Sequence, residues 1–194
     1  VYRASGPPDK NGRGLFAAAL LTRLPNLPVE EEGRLHDPRL RENWITRVFA
    51  YHRLRVLWTP PSKIGDLVAF HTAHKLLLLS HSTVAYERLG RLVAKAKTMS
   101  RTSLRDQYER AFMDALCAIA TTRRHANVLQ HMLGYFRRLL DQASREELAG
   151  CIDEYRRGLL PLIVPITLIR HHVLANGVSY LAGQVYLEPH PKEL

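Results

Sequence analysis

From Pro38 to Trp58 the apolar residues Leu40, Trp44, Ile45, Val48, Tyr51 and Leu54 recur at steps of three and four, the spacing of one helix face. Asp37 and Pro38 suit its start, as N-cap and first helical residue. Thr-Pro-Pro-Ser at 59–62 breaks it. Beyond the break, helical patterning continues almost to the end. Ser62 is placed to cap a helix reaching about His81. Its second half contains Leu-Leu-Leu-Leu at 76–79, apolar around a whole turn, which predicts burial on every side. Ser82 or Thr83 caps the next helix, to about Lys97. Thr102 or Ser103 opens another, with Leu104, Tyr108, Ala111, Phe112, Ala115 and Leu116 on one side. A further helix covers 121–138. Ser144 with Glu147 reads as a capping box for a helix ending near Gly158. The Pro-interrupted segment 161–175 predicts a buried, kinked helix stopped by Asn176-Gly177.

The first 58 residues read differently. Residues 4–14 are Gly/Pro-rich and predict a loop, 15–24 (LFAAALLTRL) a short apolar helix, and 27–35 (LPVEEEGRL) a short strand running into an acidic turn. The expectation is a mostly α chain in two units. Residues 1–58 have α/β character, and 59–194 form a helical bundle of about six to seven helices, the Thr59–Ser62 break being the boundary.

Charge sharpens this outline. The chain of 194 residues has a formal net charge of +10, which favours an anionic partner. The surplus is local. Residues 63–138 hold 13 Lys/Arg against 5 Asp/Glu, whereas 139–194 hold 5 against 7. The two cysteines, Cys117 and Cys151, form no CxxC and suit reduced thiols in a cytoplasmic protein. No signal peptide or membrane span is visible; the most apolar run, 159–169, is too short and carries two prolines. The chain opens on Val, so a piece of a longer protein is expected.

The helix at 121–138 concentrates the charge. Placed about 100° apart, Val128, Leu129, Met132, Leu133, Tyr135, Phe136, Leu139 and Leu140 share one face, with His125 in their midst. The opposite face collects Arg123, Arg124, Asn127, Gln130, His131, Gly134, Arg137 and Arg138. Solvated faces usually mix acids with bases; this one has no acid. Its cations are all arginines, whose planar fork matches phosphate. Gly134 leaves a bare spot mid-face, where a nucleic-acid backbone or another helix could approach. An ordinary solvated face is the plainer account. His125 reads as a satisfied core histidine ahead of a ligand or acid–base group.

Two other clusters put polar groups in apolar company: His71, His74 and Lys75 in one helix, Arg170, His171 and His172 in another. They either line one polar cleft or satisfy each other and nearby carbonyls. His71 and His74 could begin a metal site, but Lys75 and Arg170 oppose a cation and no carboxylate is close in sequence, so no metal is expected. No catalytic triad order, Walker loop or dinucleotide fingerprint occurs, and no catalytic residue is assigned.

The blocks GDLVAFHTAHKLLLLSHS, ATTRRHANVLQHMLGYF, YRRGLLPLIVPITLIRHHV and QVYLEPHPKEL resemble the YbgA-like domain over nearly all of 62–194. VYRASGPPDKNGRGLFAAAL and LPVEEEGRLHDPRLRENWITRVFAY resemble the C-terminal part of a TudS-like thiouracil desulfurase domain. The two occur fused in RudS-type proteins that convert 4-thiouridine in tRNA to uridine. The resemblance implies tRNA as partner of the helical unit, and the missing N-terminal part of the desulfurase domain as its second partner. It also implies a 4Fe-4S cluster held by three cysteines in the full-length protein. Neither Cys117 nor Cys151 matches a cluster position, so no cofactor and no desulfurase activity are expected of this chain alone. Phosphate contacts and the shape of a folded RNA would then dominate recognition, since aromatics such as Tyr135 read as core residues and not as a stacking platform. Two other functions fit the residues: an enzyme with His71, His74, Arg170 and His172 in one pocket, or an assembly module docking its basic face on acidic protein.

Overall fold

A computed structural model describes residues 14–191, and within them the helix signals become nine helices: α1 (Leu15–Arg23), α2 (Pro38–Leu57), α3 (Ile64–His81), α4 (Thr83–Ala94), α5 (Arg101–Cys117), α6 (Thr122–Tyr135), α7 (Gln142–Arg156), α8 (Ile163–Ala175) and the single turn α9 (Ser179–Ala182). Short 3-10 turns lie at Glu32–His36, Ala96–Thr98 and Val185–Leu187. The expected loop at 4–14 falls, but for Gly14, outside the described residues.

The caps explain most boundaries. The Asp37 carboxylate accepts from the Arg39 and Leu40 amides, Ser82 Oγ from Ala85, and Thr121 Oγ1 from Arg124. Two caps sit upstream of the residues that the sequence favoured. Ser100, not Thr102 or Ser103, caps α5, and Asp141, not Ser144, caps α7. Helix α3 starts at Ile64, with the Asp66 carboxylate closing on the Lys63 amide at 2.7 Å. Ser62 is turned inward instead, accepting a hydrogen bond from Arg101. Gly158 and Gly177 end α7 and α8 in the left-handed region, at φ 79° and 61°.

Helix α3 is the central post. It packs on α2, α4, α5 and α6 and on the 185–187 turn. Leu76, Leu77 and Leu78 are buried there and Leu79 nearly so, as an all-apolar turn requires. Leu54 of α2, Leu89 of α4, Tyr108 and Phe112 of α5, Met132 of α6, Leu148 and Ile152 of α7 and Ile169 of α8 join it in one core. Each such side chain contributes on the order of 1.5–3 kcal/mol by leaving water. The tail folds back on α2: Arg53 Nη1 donates to the Pro189 carbonyl at 2.7 Å, and His190 Nε2 meets Glu42 Oε1 at 2.6 Å.

Two expectations are corrected. The strand at 27–35 does not form, so the α/β tail is absent: the described residues contain no strand. A strand needs a ladder partner, and this helical packing offers none. Residues 28–31 carry no regular structure instead, held by Trp44 Nε1 donating to the Pro28 carbonyl, and Glu32–His36 coils into a 3-10 turn. Helix α8 is only half buried. Ile163, Val164 and Leu174 face outward. Pro165 falls in its first turn, where the missing N–H breaks little of the ladder. Among the described residues, no helix is long and apolar enough to cross a membrane.

Candidate nucleic-acid interface

Helix α6 divides as its wheel predicts. Ala126, Val128, Leu129 and Met132 are buried. Arg123, Asn127, Gln130, His131 and Gly134 are exposed, and Arg124 is half-buried. The helix expected to reach 138 ends at Tyr135, so Arg137 and Arg138, also exposed, lie in the turn after it and not on its face. Among the described residues, none of the four arginines has a carboxylate within ion-pair range. The neighbouring helix α7 is acidic, yet two of its acids bond to residues of its own segment: Asp153 holds Arg156 and Arg157, and Glu146 accepts from Gln142.

Tyr135 departs from the expected core face. It is 39% exposed, because the helix ends there and Phe136 closes the core in its place. Its ring stacks on Tyr180 at 5.2 Å and meets His131 edge-on at 5.6 Å. An aromatic pair therefore sits beside the arginines, a feature visible only once α9 is placed. Leu139 is also exposed.

His125 is a satisfied core residue. Its Nδ1 lies 2.9 Å from the Tyr186 hydroxyl, and its ring packs edge-on against Tyr155. Burial lowers its pKa to about 4, with His81 and then Arg39 adding to the effect. The sequence reading missed His81, which is buried at the end of α3 and donates Nδ1–H to the Ala118 carbonyl at 2.6 Å. Its signal was a polar residue directly after a buried apolar run.

The remaining clusters lie on α3 and α8. His71 and His74 are 3% and 2% exposed. A hydrogen bond of 3.1 Å joins His71 Nδ1 to the Tyr108 hydroxyl; His74 Nδ1–H donates to the Phe70 carbonyl at 2.7 Å while its ring stacks on Phe70. Burial lowers both pKa values to about 4. Lys75 adds to the shift at His71. At His74 the Phe70 carbonyl opposes it, and Arg53 and His71 add to it. His172 is buried against Phe136 and His171. His171 is exposed on an open groove between α7 and α8, beside Cys151. Arg170 pairs with Glu188, and Lys75 is half-buried. No hydrogen bond or ring contact joins His71, His74 or Lys75 to Arg170, His171 or His172. A 4Fe-4S cluster does not fit these residues. It needs at least three thiolates, whereas Cys117 ends α5 and Cys151 lies within α7. No group of three or more His, Cys, Asp or Glu among the described residues could hold a metal ion.

Comparison with known proteins extends this description. A family model described as "Protein of unknown function (DUF1722)" matches residues 75–191. A protein of Escherichia coli (strain K12), described as "Uncharacterized protein YbgA", is 36% identical over 155 residues, which cover 79% of this chain and 92% of that protein. No solved structure matches the chain. A match of that length cannot fit within residues 59–194 and so reaches past the Pro-Pro break into α2.

Proposed function

This chain belongs to the DUF1722 family, and for this member we propose an RNA-binding helical module that holds a folded tRNA through its phosphates. The observation that carries the proposal is an acid-free surface formed by the start of α6 and the turn after it, where Arg123, Arg124, Arg137 and Arg138 stand without a carboxylate in ion-pair range beside an acidic helix. Arginine forks suit phosphate oxygens, and such contacts supply most of the affinity for nucleic acid. Asn127 and Gln130 add neutral donors and acceptors on the same face. The Tyr135–Tyr180 stack beside His131 offers an aromatic surface for an unpaired base.

The resemblance of the first 58 residues to a desulfurase domain supports a more specific reading. In it the module presents a 4-thiouridine tRNA to a neighbouring iron–sulfur domain in the cytoplasm. The cluster chemistry belongs to that neighbour, and no step of it runs through Cys117 or Cys151. The thiolated base would have to leave its stack to be reached.

Titration with tRNA across a salt series tests the module. The logarithm of affinity should fall linearly with the logarithm of salt, and Arg123→Gln, Arg137→Gln and Arg138→Gln should each flatten that slope by about 0.7–0.9. No binding at low salt, or a slope the substitutions leave unchanged, refutes it.

A further inference from the structure

Where α5 passes into α6, three elements converge and bring arginines that form no ion pair among the described residues. On α2, Arg39, Asn43 and Arg47 are four residues apart and share one stripe. Asn43 Nδ2 donates to the Leu116 carbonyl at 3.1 Å, so that stripe faces the end of α5. From α3, His81 Nδ1–H donates to the Ala118 carbonyl at 2.6 Å. The two side chains thus hold the connection from both sides. Three residues beyond Ala118, Thr121 caps α6 and carries Arg124 and His125 into its first turn.

Arg39 and Arg47 flank Asn43 on α2, and Arg124 opens α6 just past the Ala118 carbonyl that His81 holds. Burial lowers the His81 pKa; the Ala118 carbonyl opposes this, while Arg124 and Arg47 add to it. Arg39 acts on His125 and on Tyr155. Among the described residues, Arg39, Arg47 and Arg124 form no ion pair. The Arg47 Nε–H is buried with no acceptor, an arrangement that ordinarily costs stability. The α5 C-terminus supplies some negative potential, but a helix end amounts to roughly half a charge. That cannot balance three guanidiniums, and its Leu116 carbonyl is already taken by Asn43.

We propose that this junction of α2, α3 and α6 is a phosphate-binding site, with Arg39, Arg47 and Arg124 as ligands of a single phosphate group. The phosphate belongs either to an RNA backbone or to a free phosphorylated molecule. The site shares Arg124 with the face proposed for RNA but rests on its own geometry. Arg47, partly buried, fixes the inner edge, and the exposed Arg39 and half-buried Arg124 close over the anion. His81 and His125 lie at the floor and report on occupancy.

Histidine ring resonances, followed at pH 7.5 and constant ionic strength while inorganic phosphate replaces chloride, test the site. Saturable shifts are expected at His81 and His125 and none at His171. Arg39→Gln and Arg47→Gln should each weaken phosphate at least tenfold with the unfolding midpoint preserved. Arg39 is exposed, so its variant keeps the test open should Arg47→Gln unfold. Linear, non-saturating shifts overturn the site. So does an Arg39→Gln variant that loses thermal stability while binding phosphate as before, since the arginine would then serve the α5 terminus. A parallel arm measures tRNA binding. Phosphate competing with tRNA, and weakened tRNA binding in Arg39→Gln, identify the RNA backbone as the source. Unchanged tRNA binding beside lost phosphate binding identifies a free phosphorylated ligand. Phosphate binding without any tRNA binding leaves the site standing and removes the RNA reading. Binding of tRNA without saturable phosphate shifts does the reverse.

Discussion

Lowering the pH from 7 to 5 removes a large part of this fold's stability, because His71, His74 and His125 are held neutral inside it. Each has a folded pKa of about 4 against an ordinary 6.5, set first by burial. As pH falls the unfolded chain binds protons before the folded one. Their contribution is therefore fully present above about 6.5 and is lost progressively between 6.5 and 4. At pH 5 each group costs about 2 kcal/mol. Three together approach 6 kcal/mol, comparable with the whole stability of a typical domain. His81 is shifted in the same direction and adds to the loss. Carboxylates stay mostly ionised over this interval and contribute little. Urea unfolding followed by far-ultraviolet circular dichroism at pH 7, 6 and 5 should show a drop of several kcal/mol, with about 2–3 protons taken up on unfolding near pH 5. His74→Asn keeps a donor for the Phe70 carbonyl and cannot titrate, so it should remove about one of those protons. Equal unfolding free energies at pH 7 and 5, or a proton uptake unchanged in His74→Asn, would refute the reasoning.

Three further outcomes are expected. Gly134→Ala and Gly158→Ala should differ in sign: Gly134 is helical with nothing within 4 Å of an added Cβ, so alanine stabilises α6 by about 0.5–1 kcal/mol, whereas the positive φ of Gly158 makes alanine cost about 1–2 kcal/mol in urea unfolding. Gln184→Leu should lower stability by about 1–3 kcal/mol, since the buried Gln184 donates to the Thr72 carbonyl at 2.9 Å and accepts from the Leu76 amide. Thr121→Ala should weaken α6 by about 1 kcal/mol, read as faster amide exchange in its first turn.

Local rules carried the fold a long way. The Asp37-Pro38 start, the Ser82 cap, the four leucines of α3 and the Asn176-Gly177 stop were all legible, because each depends on neighbours within one or two turns. The same rule failed at 27–35. A short stretch such as Leu27–Val29 becomes a strand only if a second strand is present to pair with, and pairing is not a local property. The acid-free face of α6 was also legible, since helical period alone decides which residues share a side.

The sequence by itself thus determined the eight longer helices, their order and the acid-free exposed side of α6. Tertiary structure decided what the buried polar groups do. His81 meets the Ala118 carbonyl 37 residues away, Asn43 meets that of Leu116 across 73, and Arg53 meets that of Pro189 across 136. It also set Tyr135 against Tyr180. Periodicity records which way a side chain leaves its own helix. Which partner it finds there depends on how the helices pack, and that is settled by the whole core at once.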